Sequence, residues 1–204
     1  ACVVVIFINN QLVRFGGDMS VGAFGIANRI VFIFVMFVMG INQGMQPIAG
    51  YNYGAQKLDR MMQVVKLSII AATVIMILGW FLAMLAPRQC VSLFTTDKHL
   101  IDTTVHGMRR MMLVLPIVGY QMVITNFFQC IGKVKISIFL SLSRQLLFLL
   151  PALALLPIWF GLDGVWLAQP VSDFIASVVT AWIMIVYMHK FKLQHKENQY
   201  GRQE

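Results

Sequence analysis

Five stretches of this chain run long enough without charge to cross a lipid bilayer, and they govern what it can fold into. Residues 30–56, 67–87 and 111–132 carry no charged side chain, 136–162 carry only Arg144, and 164–188 carry only Asp173. A helix of about 20 mostly apolar residues spans the hydrocarbon core. A sixth apolar piece, residues 1–13, is too short to span. It opens without methionine and without a basic flank, so it does not read as a signal peptide. The expectation is that the chain starts inside a helix whose first half is missing.

Composition agrees with this reading. Hydrophobic residues make up 59% and charged residues 12%, against about 25% charged in a soluble domain. A soluble enzyme, a nucleic-acid binder and a disordered tail are all excluded on that ground. The net charge of +8 is not massed on one element but falls between the apolar runs, as in polytopic membrane proteins. The predicted fold class is all-α: a polytopic membrane helix bundle with five full transmembrane helices plus a truncated first one. Loops are expected at 14–18, 50–66, 87–110, 132–135 and 160–164, with a bundle over 1–190 and a polar tail over 191–204. Within the third loop, Thr96 is the expected N-cap of a short helix.

Basic residues orient membrane proteins. The second loop, the fourth loop and the tail hold nine lysines and arginines, and the opposite side holds five. The tail is therefore predicted to be cytoplasmic, although the pair Arg109-Arg110 argues the other way. Trp159 and Trp166 on one side, and Tyr51, Tyr53 and Tyr187 on the other, fit interfacial aromatic belts.

The cysteines at 2, 90 and 130 and the four histidines match no metal or redox spacing. There is no nucleophile elbow, no His-Glu-x-x-His and no P-loop, so no enzyme is predicted. What stands out instead is polarity inside the spans, where it needs a reason. Gln43 and Gln46 are three apart on one helix face. They read either as glue between helices or as the wall of a polar cavity. Gln121, Asn126 and Gln129 punctuate the run 111–132. Arg144 is placed for partial snorkelling to the inner side. Pro116, Pro151 and Pro157 interrupt their helices. Met36, Met39 and Met45 beside Phe34 and Phe37 hint at an adaptable apolar site.

Arg29 and Asp173 each lie nine residues, about 14 Å, from the same side of the membrane. Pairing at that depth would offset the desolvation of both charges. Asp173 is the one carboxylate well inside a span, a default candidate for coupling to a proton or sodium ion. Alternatively Pro170 starts the helix, and Asp173 merely complements its dipole.

These residues resemble a known family. Gly40-Ile41-Asn42-Gln43-Gly44-Met45-Gln46-Pro47-Ile48-Ala49-Gly50-Tyr51-Asn52-Tyr53-Gly54-Ala55 looks like the eighth-helix signature of multidrug and toxic compound extrusion (MATE) transporters. Phe127-Phe128-Gln129-Cys130-Ile131-Gly132-Lys133 resembles the end of their tenth helix. Ser141-Leu142-Ser143-Arg144-Gln145, Leu149-Leu150-Pro151 and Gly164-Val165-Trp166-Leu167-Ala168-Gln169-Pro170-Val171-Ser172-Asp173 resemble the eleventh and twelfth. Phe15-Gly16-Gly17-Asp18 is similar to the turn after the seventh.

The resemblance implies twelve helices in two six-helix lobes, with this chain as the second lobe. It implies residence in the bacterial inner membrane and export of amphipathic, often cationic drugs in exchange for sodium ions or protons, with no other cofactor. Its implied partners are those small molecules, the bilayer and the missing N-terminal lobe, and no nucleic acid. The lobe alone is not expected to transport. On this reading Asn9, Asn10, Gln43, Gln46, Gln121 and Asn126 would line the substrate cleft, and Arg29 and Asp173 would manage charge. In one branch of the family, acids on the seventh and tenth helices take part in coupling. Here Val3 to Val13 and the region of Tyr120 and Gln121 hold none, which leaves Asp173 or neutral oxygens such as Asn9, Asn10 and Gln121. Two alternatives are a lipid-carrier flippase of related fold, for which Arg29 and Arg144 would be a thin basic cleft, and a membrane assembly subunit with no transport cycle.

Overall fold

The computed structural model describes residues 2–200, and side chains over 4–189; Ala1 and 201–204, with the end of the expected tail, lie outside the described residues, as do the side chains of Cys2, Val3 and 190–200. Every described element is helical: α1 (Cys2–Gly54), α2 (Leu58–Leu85), α3 (Pro87–Ser92), α4 (Lys98–Met111), α5 (Leu115–Cys130), α6 (Val134–Leu142), a π-helical turn (Ser143–Leu149), α7 (Leu150–Phe160) and α8 (Leu162–Tyr200).

α1 is two limbs joined at Gly17, whose φ of 68° and ψ of −176° break the helix. Val4 and Val35 border one cavity, yet a straight helix would hold them about 46 Å apart. The chain therefore doubles back at Gly17. That backbone region is nearly closed to residues with a Cβ and costs them about 1–3 kcal/mol. Gly17→Ala should lower the thermal midpoint of the purified protein, and an unchanged midpoint would contradict the turn.

Four helices are long and apolar enough to cross a membrane: Val4–Gly54, Leu58–Leu85, Val134–Phe160 and Leu162–His189. α4 and α5 supply a fifth span, bent by 57°. With α1 divided at Gly17, the described residues form a short first limb followed by five spans, the number of full spans expected. The expected loops shrink, because helices run on past the charge-free segments. Only 55–57 separates α1 from α2, and only Gly161 separates α7 from α8. α5 alone has 16 residues, about 24 Å of helix, so it needs the end of α4 to complete the crossing. Pro116 opens α5 rather than interrupting it. Asp97, not Thr96, caps α4, its carboxylate accepting from the backbone N–H of His99 at 2.9 Å and of Leu100 at 3.5 Å.

α2 buries small and adaptable side chains and turns large ones outward. Along α2 the buried face is Leu58, Met61, Val65, Ser68, Ala72, Met76, Gly79 and Ala83, recurring every three or four residues as one helix stripe requires. Leu67, Ile70, Val74, Leu78 and Leu85 stand on the opposite face, exposed. Small residues at the seam let helices approach closely in a medium where burial of apolar area alone drives nothing.

Trp166 corrects the belt assignment. It is 1% exposed, with Phe24 at a ring-centroid distance of 5.5 Å and Gly107 against its indole face. Trp159, at 78% exposed, suits a belt. The methionine cluster also divides: Met45 is buried, whereas Met36, Met39 and Phe37 face outward.

Candidate functional site

Polar side chains gather at two open cavities in the wall of the bundle, at which Asn9, Arg29, Ser141 and Gln145 are exposed. The larger, about 860 Å³, lies between the two limbs of α1, the π-helical turn and α8. Its polar lining is Asn9, Asn28, Arg29, Gln145 and Gln169. The smaller, about 270 Å³, lies between α5 and the α6–π junction and is bordered by Gln121, Thr125, Asn126, Ser141, Arg144 and Gln145. Gln145 belongs to both walls.

The π-helical turn creates this arrangement. Pro151 has no N–H to return to the carbonyl of Leu147, so the α-helical ladder is already loosened there. A π turn adds a residue and re-aims the side chains around it, and such turns concentrate at functional sites. α8 grips the turn twice. The Ser172 hydroxyl donates to the Arg144 carbonyl at 2.9 Å, and Arg144 Nε donates to Asp173 Oδ1 at 2.6 Å. Ser172 and Asp173 are both buried.

This overturns two expectations. Arg29 does not pair with Asp173; the carboxylate belongs to Arg144, and Arg29 has no hydrogen bond or ion pair among the described residues. Arg144 does not snorkel to the interface but turns inward. Pro170 lies inside α8, so Asp173 is not a first-turn residue either.

The amides sort by helix face. Gln46 Nε2 donates to Asn126 Oδ1 at 3.2 Å, joining α1 to α5. Gln43 is exposed and borders neither cavity. Asn42, one residue before it, is buried with neither amide atom bonded. Asn9 borders the larger cavity, and the exposed Asn10 does not. Gln121 is buried beside the smaller cavity, and its Oε1 lacks a protein partner, as does the buried Ser143 hydroxyl. A polar cavity is where such atoms retain hydrogen-bonding capacity. Asn28, Thr125, Gln145 and Gln169 were not among the expected cleft residues. Each was visible as a polar residue in an apolar run, but nothing in the order of residues said which way it faced.

Interhelical amide bonds in membranes average about 0.6 kcal/mol and reach about 1.7. A double-mutant cycle on Gln46→Leu and Asn126→Leu should give a coupling in that range by thermal unfolding, and zero coupling would remove the bond.

At the junction of α4 and α8, Arg110 donates to Asp163 at 2.5 Å, with His106 at 3.4 Å from the same carboxylate. Burial pushes the Cys90 thiol above its ordinary value, in keeping with a cysteine that carries no chemistry.

A helical bundle of four or five apolar spans that collects amides, a guanidinium and a buried ion pair is a multi-pass membrane protein. The chain belongs to the MatE family, whose model matches residues 3–153. It is 25% identical over 177 residues to the multidrug export protein MepA of Staphylococcus aureus (strain MSSA476), covering 87% of this chain and 38% of that protein. It is 26% identical to MepA of Staphylococcus haemolyticus (strain JCSC1435), covering 80% and 36%. Among solved structures it is similar to a ligand complex of the MATE multidrug transporter DinF-BH, at TM-score 0.76 and 41% identity, over 87% of this chain and 40% of that one. A MATE structure in complex with MaL6 shares the fold at TM-score 0.87 and 21% identity, over 94% and 44%. The chain thus spans less than half the length of each protein it matches.

Proposed function

We propose that this chain is the second lobe of a two-lobe secondary transporter that exports amphipathic molecules in exchange for sodium ions or protons. The protein would lie in the inner membrane with its C-terminus cytoplasmic, 1–190 forming the lobe and 191–204 its tail. The observation that carries the reading is the juxtaposition of two polar cavities, divided by Gln145, beside the buried Arg144–Asp173 pair. Rocking one lobe against another exposes such cavities alternately to the two sides. The names of MepA and DinF-BH support multidrug export as the activity.

Coupling through Asp173 requires a cation to compete with Arg144 for it, since the carboxylate is already neutralised by the guanidinium. Asn9, Asn10 and Gln121 remain neutral oxygens for the same purpose, and a carboxylate of the other lobe is a further source. Gln46 and Asn126 hold helices together, Asn126 also borders the smaller cavity, and Gln43 would meet substrate only on the exposed face of α1.

The test is dye efflux by the full-length protein in cells lacking their own exporters. Efflux should stop when an uncoupler or a sodium ionophore collapses the driving gradient, and which agent stops it identifies the ion. Efflux indifferent to both, or no efflux at all, would defeat the antiport reading and favour an assembly subunit without a transport cycle.

A further inference from the structure

We propose that the larger cavity binds an amphipathic anion, its carboxylate or phosphate group held by Arg29. The proposal rests on the transport reading above and names the charge of what that cavity takes. It begins with the carboxylates. The chain has eight, and none is available to Arg29 among the described residues. Asp173 is held by Arg144, Asp163 by Arg110, and Asp102 by Arg88. Asp97 caps α4, and Asp59 borders a different cavity against α8. Asp18 lies 11 residues back on the same limb, about 16 Å away along the helix.

Among the described residues, Arg29 is therefore the one charged side chain bordering an 860 Å³ cavity, within the roughly 300–1,000 Å³ of drug-sized sites. Around it stand four amides, Asn9, Asn28, Gln145 and Gln169, which supply N–H donors; the rest of the lining is apolar apart from one glycine. Arg29 is itself exposed on the open side of this cavity, and an unpaired guanidinium there repels a cation and attracts an anion, though less strongly than a buried one would. The guanidinium presents two parallel donors that match a carboxylate or phosphate edge. The apolar walls then receive the hydrophobic body. This departs from the cationic substrates that family resemblance suggested.

The test uses the full-length protein in phosphatidylcholine nanodiscs and two xanthene dyes of opposite charge, fluorescein and rhodamine 6G, followed by fluorescence polarisation. Wild-type protein should bind fluorescein. Arg29→Gln should weaken that binding about tenfold or more, the loss of one charge-assisted hydrogen bond, and leave rhodamine binding unchanged or tighter. Arg29→Lys, which keeps the charge and favours folding, should weaken fluorescein less. Lipid phosphate and a soluble anion share this chemistry. Displacement of fluorescein by added phosphatidylglycerol assigns the site to a lipid headgroup, and no displacement assigns it to a soluble amphiphile. Rhodamine binding without fluorescein binding, or fluorescein binding indifferent to both Arg29 variants, would overturn the anion proposal alone. If neither dye binds the wild-type protein, the multidrug reading falls with it.

Discussion

Replacing Asp173 by alanine should leave little folded protein in the membrane. The substitution strands the Arg144 guanidinium inside the bundle, with its 2.6 Å partner gone and only the carbonyl-side contact with Ser172 remaining. Removing one member of a buried ion pair costs about 3–5 kcal/mol, because the other charge stays desolvated and uncompensated. Arg144→Leu should do comparable damage by stranding Asp173, which is the more buried of the two. Removing both charges together is different, since apolar replacements of such pairs are often neutral or stabilising. The double variant Arg144→Leu/Asp173→Leu should therefore recover most of the lost stability in a thermal-unfolding measurement. A double variant as unstable as the sum of the singles would show that the pair is not the source of the effect. If the recovered double variant exports nothing, the charges serve transport rather than folding.

The second large effect is expected at Gly107. A Cβ there would overlap Cε2 and Cζ2 of Trp166, far inside contact distance. The indole cannot yield easily, because it is 1% exposed and braced by Phe24. Overpacking a filled core costs about 1–3 kcal/mol and sometimes more, and a rigid ring on a helix seam belongs at the upper end. Gly107→Val should lower the thermal midpoint well beyond Gly107→Ala. Trp166→Leu in the Gly107→Val background should restore part of the loss, by vacating the volume the valine needs. No rescue would mean that the glycine is required for another reason.

The membrane-spanning segments were legible because hydropathy is a property of each segment by itself. No partner is needed to know that 67–87 cannot face water. The short first limb and the turn near Gly17 were legible for the same reason: the apolar run stops and glycines follow. Pairings inside the bundle are another matter. The proposed Arg29–Asp173 contact was argued from depth alone, one coordinate of three. Depth equally admits Arg144, which is eight residues in from the inner side, about 12 Å, where Asp173 is about 14 Å from the outer side of a core about 30 Å thick. The direction each side chain points around its helix decided between them. At Arg144 that direction is set by a π turn whose only sequence trace is Pro151.

The same gap explains the amides. Gln43 and Gln46 are close enough on the helix to count as one face, yet the seam runs through Asn42, Met45, Gln46 and Ala49 and leaves Gln43 outside. Trp166 looked interfacial because it sits four residues into a helix, where belts are common. The crossing of α4 against α8 instead folds it into the core, a fact of packing rather than of position in the sequence.

Gln145 borders both cavities, and its primary amide has a fixed stock of bonding capacity: two hydrogens to give and one carbonyl oxygen to receive. Whatever it spends on an occupant of one chamber is withdrawn from the other. Turning the amide about its last torsion exchanges a donor for an acceptor on both sides at once. Two guests separated by this single side chain would never touch, yet each would be choosing the chemistry that the other one meets.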